Sequence, residues 1–525
     1  MPSITLANLG WSTPDNRTIL SGLDLIFARE RTGVVGRNGV GKSTLLRLLT
    51  GELAPASGTI AIDGTIAMLH QTVQVGPHET IADLFGARGG LALLRKAEAG
   101  EANAQEIGEA DWALEARIDE ALAGVGLPLP ADTRLTTLSG GQRTRAALAG
   151  AMFAAPDFLL LDEPTNNLDR DGRAAVRDLL RGWRGGAIVV SHDRQLLEEM
   201  DAIVEMTTLG AARYGGGWSA YQSRKAVEQA AAEAELAGAE KRLDHALRQA
   251  QAATEKQDRR DAGGRRKGAR GDMPKIVIGG LKRRAEETRA AASRLAGRQR
   301  EEAEQALDAA RSRVEVVDPL SAGLASAGLP ASRTVLELDH VTAGYAPDRP
   351  VIDHLSLTVT GPERIAITGP NGSGKSTLLA LVAGRLAPWS GRIRTAVPFA
   401  MLDQRVSLLD PARSIADNFL ALNPGTTNNR CRAALARFRF RADAADRIVG
   451  TLSGGQMLRA GLACVLGAPE PPQLLILDEP GNHLDLDSLA AVETGLAAYD
   501  GALLVVSHDP DFLEAIGITR AVALG

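Results

Sequence analysis

The segment GRNGVGKST at Gly36–Thr44 recurs in the second half of the chain as GPNGSGKST at Gly369–Thr377. Each copy follows a short apolar run, TGVVG or IAITG, and precedes residues that favour a helix. When a strand passes through such a glycine-rich turn into a helix, successive backbone N–H groups and the positive end of the helix dipole face an anion. The pattern therefore predicts two phosphate-binding loops, although a purely structural glycine loop is the alternative for either copy.

Three further segments repeat in the same order after each of these loops. They are LSGGQ at Leu138–Gln142 and Leu452–Gln456, LLLDEP at Leu159–Pro164 and LILDEP at Leu475–Pro480, and VVSHD at Val189–Asp193 and Val505–Asp509. The LSGGQ serine precedes the glutamate by 24 residues in the first half and by 26 in the second, and 29 residues separate the glutamate from the histidine in both. This matching order and spacing indicates an internal duplication.

The duplication predicts three domains: an α/β domain at 1–222, a linker at 223–316 and a second α/β domain at 317–525. Apolar runs that end at the repeated motifs are typical of buried strands in a mostly parallel sheet covered by helices. We therefore expect an α/β fold in both repeats, with the motifs at the carboxyl ends of the strands.

The linker is rich in Ala, Glu, Arg, Lys and Gln. Its apolar residues recur at steps of three and four, from Leu236 to Ala253 and from Leu281 to Val314, as on two amphipathic helices. Glycines and Pro274 interrupt this pattern. We expect an antiparallel helical hairpin whose first helix covers about 222–258.

The segment Arg259–Lys275, which we call the hairpin tip, carries seven basic residues against two acidic ones. The whole chain has 59 basic and 64 acidic residues and a formal net charge of −5, so the basic tip is a local feature. A basic, glycine-rich tip on a long arm suits contact with a nucleic-acid phosphate backbone, whereas the scarcity of aromatic residues there disfavours base stacking. A solvated linker loop is the alternative.

Acidic residues and a histidine follow the apolar runs of each repeat. Asp162 ends its run, where a carboxylate can meet the water shell of a metal ion, and Glu163 comes next, where it can polarise a water as general base. His192 follows a further run and can bond a phosphate and position that water. The corresponding residues of the second repeat are Asp478, Glu479 and His508. Helix capping is the alternative role for the acidic pair and for the SHD segment.

Together, these motifs resemble those of ATP-binding cassette (ABC) proteins over both halves of the chain. The resemblance implies two P-loop ABC nucleotide-binding domains that bind ATP and Mg²⁺. The implied nucleotide-binding residues are the first P-loop (Gly36, Arg37, Asn38, Gly39, Val40, Gly41, Lys42, Ser43 and Thr44), the second P-loop (Gly369, Pro370, Asn371, Gly372, Ser373, Gly374, Lys375, Ser376 and Thr377), the two signatures (Ser139, Gly140, Gly141 and Gln142; Ser453, Gly454, Gly455 and Gln456), and the adenine-stacking residues Trp11 and Tyr345. Each of these two aromatic residues is alternatively a partly buried surface residue.

The same resemblance implies the groups that act on the metal and on the attacking water. The implied Mg²⁺ ligands are Ser43, Ser376, Asp162, Asp478 and the Q-loop glutamines Gln71 and Gln404, and the implied catalytic residues are Glu163, Glu479, His192, His508 and the same two glutamines. Asp169 and Asp485 match the D-loop aspartates of the family. In this family the signature of one cassette covers the nucleotide held by the other, so we expect a monomer whose two cassettes pair head to tail within one chain.

Two cassettes joined by a charged helical linker resemble the ABC-F family, whose TNHLD segment is close to TNNLD and GNHLD here. Asn167 and Gly481 depart from that pattern. The resemblance implies an ATPase that acts on the ribosome, with the hairpin near ribosomal RNA and P-site tRNA, as a translation factor or in protection from antibiotics. The alternatives are an ATP-binding subunit of a membrane transporter and an ABC ATPase that handles DNA.

The sequence contains no apolar run that approaches the roughly 20 residues of a membrane helix. Its first residues show no signal-peptide pattern. We therefore expect a soluble, cytoplasmic protein without a membrane partner.

Overall fold

The computed structural model describes residues 2–70, 75–166, 168–208, 210–268, 294–295, 297–311, 323–346, 349–482 and 484–524, with the backbone alone at 250, 253–254 and 256–268. The chain divides into two compact units, one made of Met1–Ser219 with Asp318–Gly525 and the other of Ala220–Val317. We call Met1–Ser219 the first cassette, Asp318–Gly525 the second cassette and Ala220–Val317 the linker unit.

Two sheets form the first cassette. Its strands are β1 (Ser3–Ser12), β2 (Thr18–Phe27), β3 (Arg31–Gly36), β4 (Ser57–Asp63), β5 (Ile66–Leu69), β6 (Phe158–Asp162), β7 (Gly186–Val190), β8 (Ala202–Thr207) and β9 (Gly210–Gly215). A three-stranded antiparallel sheet has the order β2-β1-β4. A six-stranded sheet has the order β5-β6-β7-β3-β8-β9, and in it only the pairing of β8 with β9 is antiparallel.

Eight α-helices accompany these strands in the described part of the first cassette. They are α1 (Lys42–Leu49), α2 (Ile81–Leu84), α3 (Arg88–Glu98), α4 (Ala104–Glu109), α5 (Leu114–Gly124), α6 (Gly140–Phe153), α7 (Arg170–Gly182) and α8 (Arg194–Glu198). Every residue of β6 and β7 is buried, because a parallel strand has apolar neighbours on both faces. This burial explains the unbroken apolar runs in the sequence.

The linker unit begins within a single long helix, α9 (Trp218–Gly268), of 51 residues. At 1.5 Å per residue it is about 77 Å long. The expected end near residue 258 is wrong, because the helix continues through Gly263 and Gly264, although each glycine costs about 1 kcal/mol relative to alanine. Residues 269–293, which include the rest of the predicted hairpin tip, lie outside the described residues.

Residues 297–311 of the linker unit are also helical. Ala239 of α9 forms a small apolar cluster with Leu307 and Ala310, and Leu236 and Leu243 pack against it. These five residues belong to the stripes that the sequence pattern placed on two helices, and within the cluster they pack as expected for two facing helices. The residues at 281–292 and Val314 in those stripes lie outside the described residues.

The second cassette repeats the two sheets of the first. Its strands are β10 (Thr334–Ala343), β11 (Ile352–Thr360), β12 (Arg364–Thr368), β13 (Ser390–Thr395), β14 (Phe399–Leu402), β15 (Leu474–Asp478), β16 (Ala502–Val506) and β17 (Arg520–Ala523). The antiparallel sheet has the order β11-β10-β13 and the parallel one β14-β15-β16-β12-β17. The predicted α/β fold with mostly parallel central sheets is therefore confirmed, whereas the sequence patterns did not distinguish the small antiparallel sheets.

Six helices accompany these strands in the described part of the second cassette. They are α10 (Lys375–Val382), α11 (Ile415–Leu422), α12 (Asn428–Arg437), α13 (Gly454–Leu466), α14 (Leu486–Ala497) and α15 (Pro510–Ala515). Among the described residues of the whole chain, no helix has the length and apolar character needed to cross a lipid bilayer.

Candidate functional site

The two P-loops have the same local structure. β3 leads into the first loop and α1 leaves it at Lys42, and Gly41, directly before α1, has a φ of 106° that a side chain would disfavour. A Cβ on Gly36 would lie 2.3 Å from the Met206 carbonyl oxygen, so only glycine fits there. The Lys42 ammonium donates to the carbonyl oxygens of Gly36 and Arg37 at 2.6 and 3.2 Å, which folds the lysine back over its own loop.

The second P-loop repeats this arrangement after β12. The ammonium of Lys375 donates to the carbonyl oxygens of Gly369 and Pro370 at 2.8 and 2.9 Å. Gly374 has a φ of 93° directly before α10. Burial lowers the pKa of both loop lysines, Lys42 and Lys375, and the nearby carboxylates oppose that shift.

A serine hydroxyl and a carboxylate meet beside each P-loop. Asp162, the last residue of β6, is hydrogen-bonded to Ser43, and Asp478 at the end of β15 is hydrogen-bonded to Ser376. Burial raises the pKa of both aspartates. The Oδ1 atom of Asp162 is buried with no hydrogen-bond partner among the described residues. A hydroxyl next to an unsatisfied carboxylate oxygen is an oxygen-ligand set that Mg²⁺ accepts, so the residues fit this ion.

A glutamate follows each of these aspartates and lies against a histidine. Glu163 Oε1 is 3.1 Å from His192 Nε2, and Glu479 Oε1 is 3.4 Å from His508 Nε2. Both glutamates have left-handed backbone conformations, with φ of 51° and 50°. Non-glycine residues in this conformation are uncommon and cost about 1 kcal/mol or more, so their presence at the same place in both cassettes indicates a functional constraint.

Burial shifts the pKa of each member of these pairs toward its neutral form. It raises the pKa of Glu163 to about 8 and that of Glu479 to about 7. It lowers the pKa of His192 to about 3 and that of His508 to about 4. At neutral pH both histidines are therefore uncharged, and each pair is a close contact between a glutamate and a neutral imidazole.

Helix capping and histidine positioning occur together in the SHD segments. Asp193 accepts a hydrogen bond from the Leu196 backbone N–H at 3.0 Å at the start of α8, and Asp509 accepts from Phe512 at 3.1 Å at the start of α15. The capping alternative therefore applies to the aspartate of the segment. The histidine points instead to the glutamate of its own cassette.

The D-loop aspartates connect the two cassettes in both directions. The Asn38 backbone N–H of the first P-loop donates to Asp485 Oδ2 at 2.7 Å, and the Asn371 backbone N–H of the second P-loop donates to Asp169 Oδ2 at 3.1 Å. The other oxygen of each aspartate caps its own helix, since Asp169 accepts from Gly172 and Asp485 from Ser488. Each aspartate therefore fixes a helix start and a P-loop of the opposite cassette.

A cavity of about 440 Å³ lies at the second P-loop. Its volume is within the range of small-molecule sites. Its lining combines the expected phosphate, metal and water-activating groups of the second cassette with Leu168 of the first, and the residues are Leu168, Tyr345, Val351, Asn371, Gly372, Gly374, Lys375, Ser376, Thr377, Gln404, Asp478, Glu479, Asn482, Val506 and His508. The structure thus brings together most of the expected site residues of the second cassette.

The expected aromatic residues have different surroundings. Tyr345 is 73% exposed at the cavity, and the Thr377 hydroxyl donates to its hydroxyl at 3.4 Å. Trp11 is partly buried and packs against the core of the first cassette. Gln71, the expected Q-loop glutamine of the first cassette, lies outside the described residues, and so does Asn167.

The signature serines are not among the residues that line this cavity. Ser139 and Ser453 are exposed, and each caps the helix that follows it by accepting from the backbone N–H of Gln142 or Gln456 at 3.2 or 3.4 Å. The glutamine side chain accepts in return from the serine backbone N–H, which completes a capping box. In this structure the LSGGQ segments therefore define the starts of α6 and α13.

Three residues at the interface were not predicted from the sequence. Arg194 of α8 forms an ion pair with Glu493 of α14, across the two cassettes, and Arg173 of α7 carries a charge that acts on Glu479. None of the three belongs to a repeated motif. Comparing the two halves position by position would have found Arg173, because the second half has Leu489 at the matching place.

A family model described as ABC transporter matches residues 23–166 and 352–482, one match in each cassette. The tylosin resistance ATP-binding protein TlrC of Streptomyces fradiae is 35% identical over 94% of this chain and 92% of its own length. The energy-dependent translational throttle protein EttA of Mycobacterium tuberculosis is 30% identical over 95% of this chain and 87% of its own. The probable ATP-binding protein YheS of Escherichia coli is 30% identical over 93% and 73%.

Among solved structures, the archaeal ribosome recycling factor aABCE1, in a complex with the ribosomal stalk protein aP1, has a similar fold. Its TM-score is 0.57 at 18% identity, covering 98% of this chain and 87% of that one. The fold and the paired P-loops define an ATP-binding cassette protein with two cassettes in one chain. Within that class, the chain belongs to the ABC-F family of ATPases.

Proposed function

We propose that the chain binds two ATP molecules with Mg²⁺ and hydrolyses them at the head-to-tail interface of its cassettes. The observation that carries this proposal is the reciprocal contact of each D-loop aspartate with the opposite P-loop, Asp169 with Asn371 and Asp485 with Asn38. These contacts align each nucleotide loop with elements of the other cassette. A signature can then cover the nucleotide from across the interface.

In the second site, the backbone of the P-loop and Lys375 would hold the phosphates, and Tyr345 would stack on the base. Ser376, Asp478 and Gln404 would hold Mg²⁺, which screens the phosphate charge when bound. Supporting these roles, all five side chains line one cavity. The first site would use Lys42, Ser43, Asp162 and Gln71 in the same way, with Trp11 at the base.

Glu163 and Glu479 would orient and polarise the attacking water. Each is buried, and one oxygen of its carboxylate lies 3.1 or 3.4 Å from Nε2 of a neutral histidine. A raised carboxyl pKa brings the group close to working pH, where a general base is most effective. His192 and His508 would fix the orientation of the glutamate and contact the terminal phosphate.

Nucleotide binding would shift the cassettes from an open to a closed arrangement. In the closed form Ser139 and Gly141 would cover the nucleotide on Lys375, and Ser453 and Gly455 that on Lys42. Supporting a separate open form, the signature serines here are exposed and line no part of the second-site cavity. Because both partners are in one chain, a monomer is sufficient.

We further infer that the ribosome is the partner of this ATPase, with the hairpin in contact with ribosomal RNA and P-site tRNA. The relatives named for translational throttling and tylosin resistance support a role in translation or in ribosome protection. The hairpin tip supports it independently, since seven basic residues lie in Arg259–Lys275 of a chain whose net charge is negative. We propose that the domains of the chain are 1–222, 223–316 and 317–525.

Co-sedimentation with ribosomes tests this proposal. Glu163→Gln with Glu479→Gln slows hydrolysis, and the doubly substituted protein should pellet with ribosomes in ATP but stay in the supernatant without it. Substituting three tip residues, Arg265, Arg266 and Lys267, by Gln should weaken retention and reduce the slope of log affinity against log salt by about one for each phosphate that the tip no longer neutralises.

The matched control removes three positive charges from the same helix outside the tip, by Lys241→Gln, Arg242→Gln and Arg248→Gln. It should retain the binding of the parent. If the ATP-loaded double variant stayed in the supernatant, this result would contradict ribosome binding. Equal retention on duplex DNA would favour the DNA-handling alternative, and purification with a membrane permease would favour the transporter subunit.

A further inference from the structure

A partly buried ion pair connects the two cassettes at the first ATP site. Arg194 Nη1 and Nη2 donate to the two carboxylate oxygens of Glu493 at 2.8 and 3.0 Å. The side chains are only 14% and 12% exposed. A bidentate pair of this kind fixes orientation as well as distance, because the guanidinium and the carboxylate are both planar.

The same helix of the second cassette touches the first cassette at another place. α14 is capped by Asp485, which accepts from the Asn38 N–H of the first P-loop at 2.7 Å. Glu493 lies eight residues further, about 12 Å along the helix and about 80° around it. α14 therefore bridges the first P-loop and the beginning of α8, two residues after His192.

The second ATP site has no equivalent of this bridge among the described residues. Counting from the D-loop aspartates, Glu493 corresponds to Arg177, and counting from the histidines, Arg194 corresponds to Pro510. Proline has no charge to pair, and Arg177 instead donates to Gln195 within its own cassette. The D-loop contact with the opposite P-loop, in contrast, is present at both sites.

We propose that Arg194 and Glu493 are positioning residues that make the orientation of His192, and hence turnover at the first ATP site, depend on the second cassette, while the second site turns over without such a pair. The proposal rests on the proposed function, since it concerns ATP hydrolysis at these sites. The glutamate–histidine distance is 3.1 Å in the bridged site and 3.4 Å in the other. The two sites are therefore mechanically unequal.

Single-site ATPase measurements test this. Glu479→Gln leaves the first site active and Glu163→Gln leaves the second. In the first background, Glu493→Gln should lower kcat about tenfold with KM changed less than about twofold, because the ion pair orients the histidine in the transition state and does not bind the nucleotide. In the second background both constants should stay within about twofold.

Three further variants separate positioning from folding. Arg194→Glu with Glu493→Arg restores an ion pair of reversed sign and should recover most of the first-site kcat. Arg194→Lys keeps the charge but removes the bidentate geometry, so it should lower kcat even if Glu493→Gln fails to fold. Arg432→Ala, which removes an exposed ion pair with Asp446, is the control and should leave both sites unchanged.

Equal losses of kcat at both sites, or a higher KM with kcat unchanged, would overturn the inference and leave the pair a structural contact. Failure of the proposed function would look different. In that case neither single-site parent protein would hydrolyse ATP, whereas failure of this inference alone leaves both parents active and the first site insensitive to Glu493→Gln and Arg194→Lys.

Discussion

Asp169 has two separable contacts, so two substitutions can distinguish its roles. Its Oδ1 caps α7 by accepting from Gly172, and its Oδ2 accepts from the Asn371 N–H of the opposite P-loop. Asp169→Ser retains a hydroxyl that can cap the helix but is too short to reach the second cassette. Asp169→Ala removes both contacts.

The magnitudes follow from these contacts. Removing a helix cap costs about 1 kcal/mol, and removing a hydrogen bond to a charged group about 1.5–3 kcal/mol. We expect Asp169→Ala to unfold at lower urea than Asp169→Ser, by about 1 kcal/mol in the free energy of unfolding. If the whole free energy of the hydrogen bond to Asn371 stabilises the transition state, either substitution lowers the second-site kcat about tenfold to about a hundredfold.

The assay is steady-state ATP hydrolysis in the Glu163→Gln background, where only the second site is active, with urea unfolding of the same proteins. Asp485→Ser in the Glu479→Gln background is the mirror experiment for the first site, because Asp485 makes the same two contacts. An unchanged second-site rate in Asp169→Ser would refute the reasoning that the D-loop acts across the interface. A rate reduced only in Asp169→Ala would assign the whole effect to the helix cap.

Arg173→Leu introduces the residue that stands at the matching place of the second cassette. Because the Arg173 charge lowers the pKa of Glu479, this substitution should slow ATP hydrolysis at the second site more than at the first. Equal slowing of the two single-site proteins would contradict this prediction. Burial raises the pKa of Glu163 from 4.5 to about 8, so Glu163 stays protonated to higher pH in the nucleotide-free folded protein than in the unfolded chain. The free energy of unfolding therefore falls as pH rises from about 5 to about 8. Glu163→Gln should remove up to ~5 kcal/mol of that fall in urea titrations across pH, and an unchanged pH dependence would exclude a protonated Glu163. Tyr345→Ala should weaken ATP binding at one of two sites about tenfold in calorimetric titration, because base stacking contributes ~1–3 kcal/mol, and two unchanged sites would remove Tyr345 from the nucleotide site.

The sequence predicted the parts of the fold that are determined by local chemistry. Glycines with positive φ are required where a strand turns into a P-loop, and apolar runs are required where a strand is buried on both faces. Both requirements are visible in neighbouring residues, so the P-loops and the strands that end in Asp162 and Asp478 were predictable. The length of α9 was not, because the tolerance of a helix for Gly263 and Gly264 depends on a small balance of free energies.

The contacts between the cassettes were less accessible to sequence reasoning. The repeated motifs identify Asp169 and Asp485. They do not show that one carboxylate both caps a helix and accepts a hydrogen bond from the opposite P-loop. Arg194 and Glu493 are 299 residues apart and belong to no motif, and their pairing depends on how two folded cassettes meet. Chemistry that requires a particular local spacing can be predicted from one sequence, whereas contacts that arise from packing cannot.

Interspin distances in the ATP-bound protein test the central claim most directly. Spin labels are attached at Ser139→Cys with Asn371→Cys, or at Ser139→Cys with Asn38→Cys as control, in protein carrying Glu163→Gln and Glu479→Gln. The two native cysteines, Cys431 and Cys464, are buried and are replaced by alanine to exclude their labelling. ATP should shorten the distance from 139 to 371 and leave that from 139 to 38 nearly unchanged; an unchanged first distance, or a shortened second one, would contradict a nucleotide shared between the cassettes.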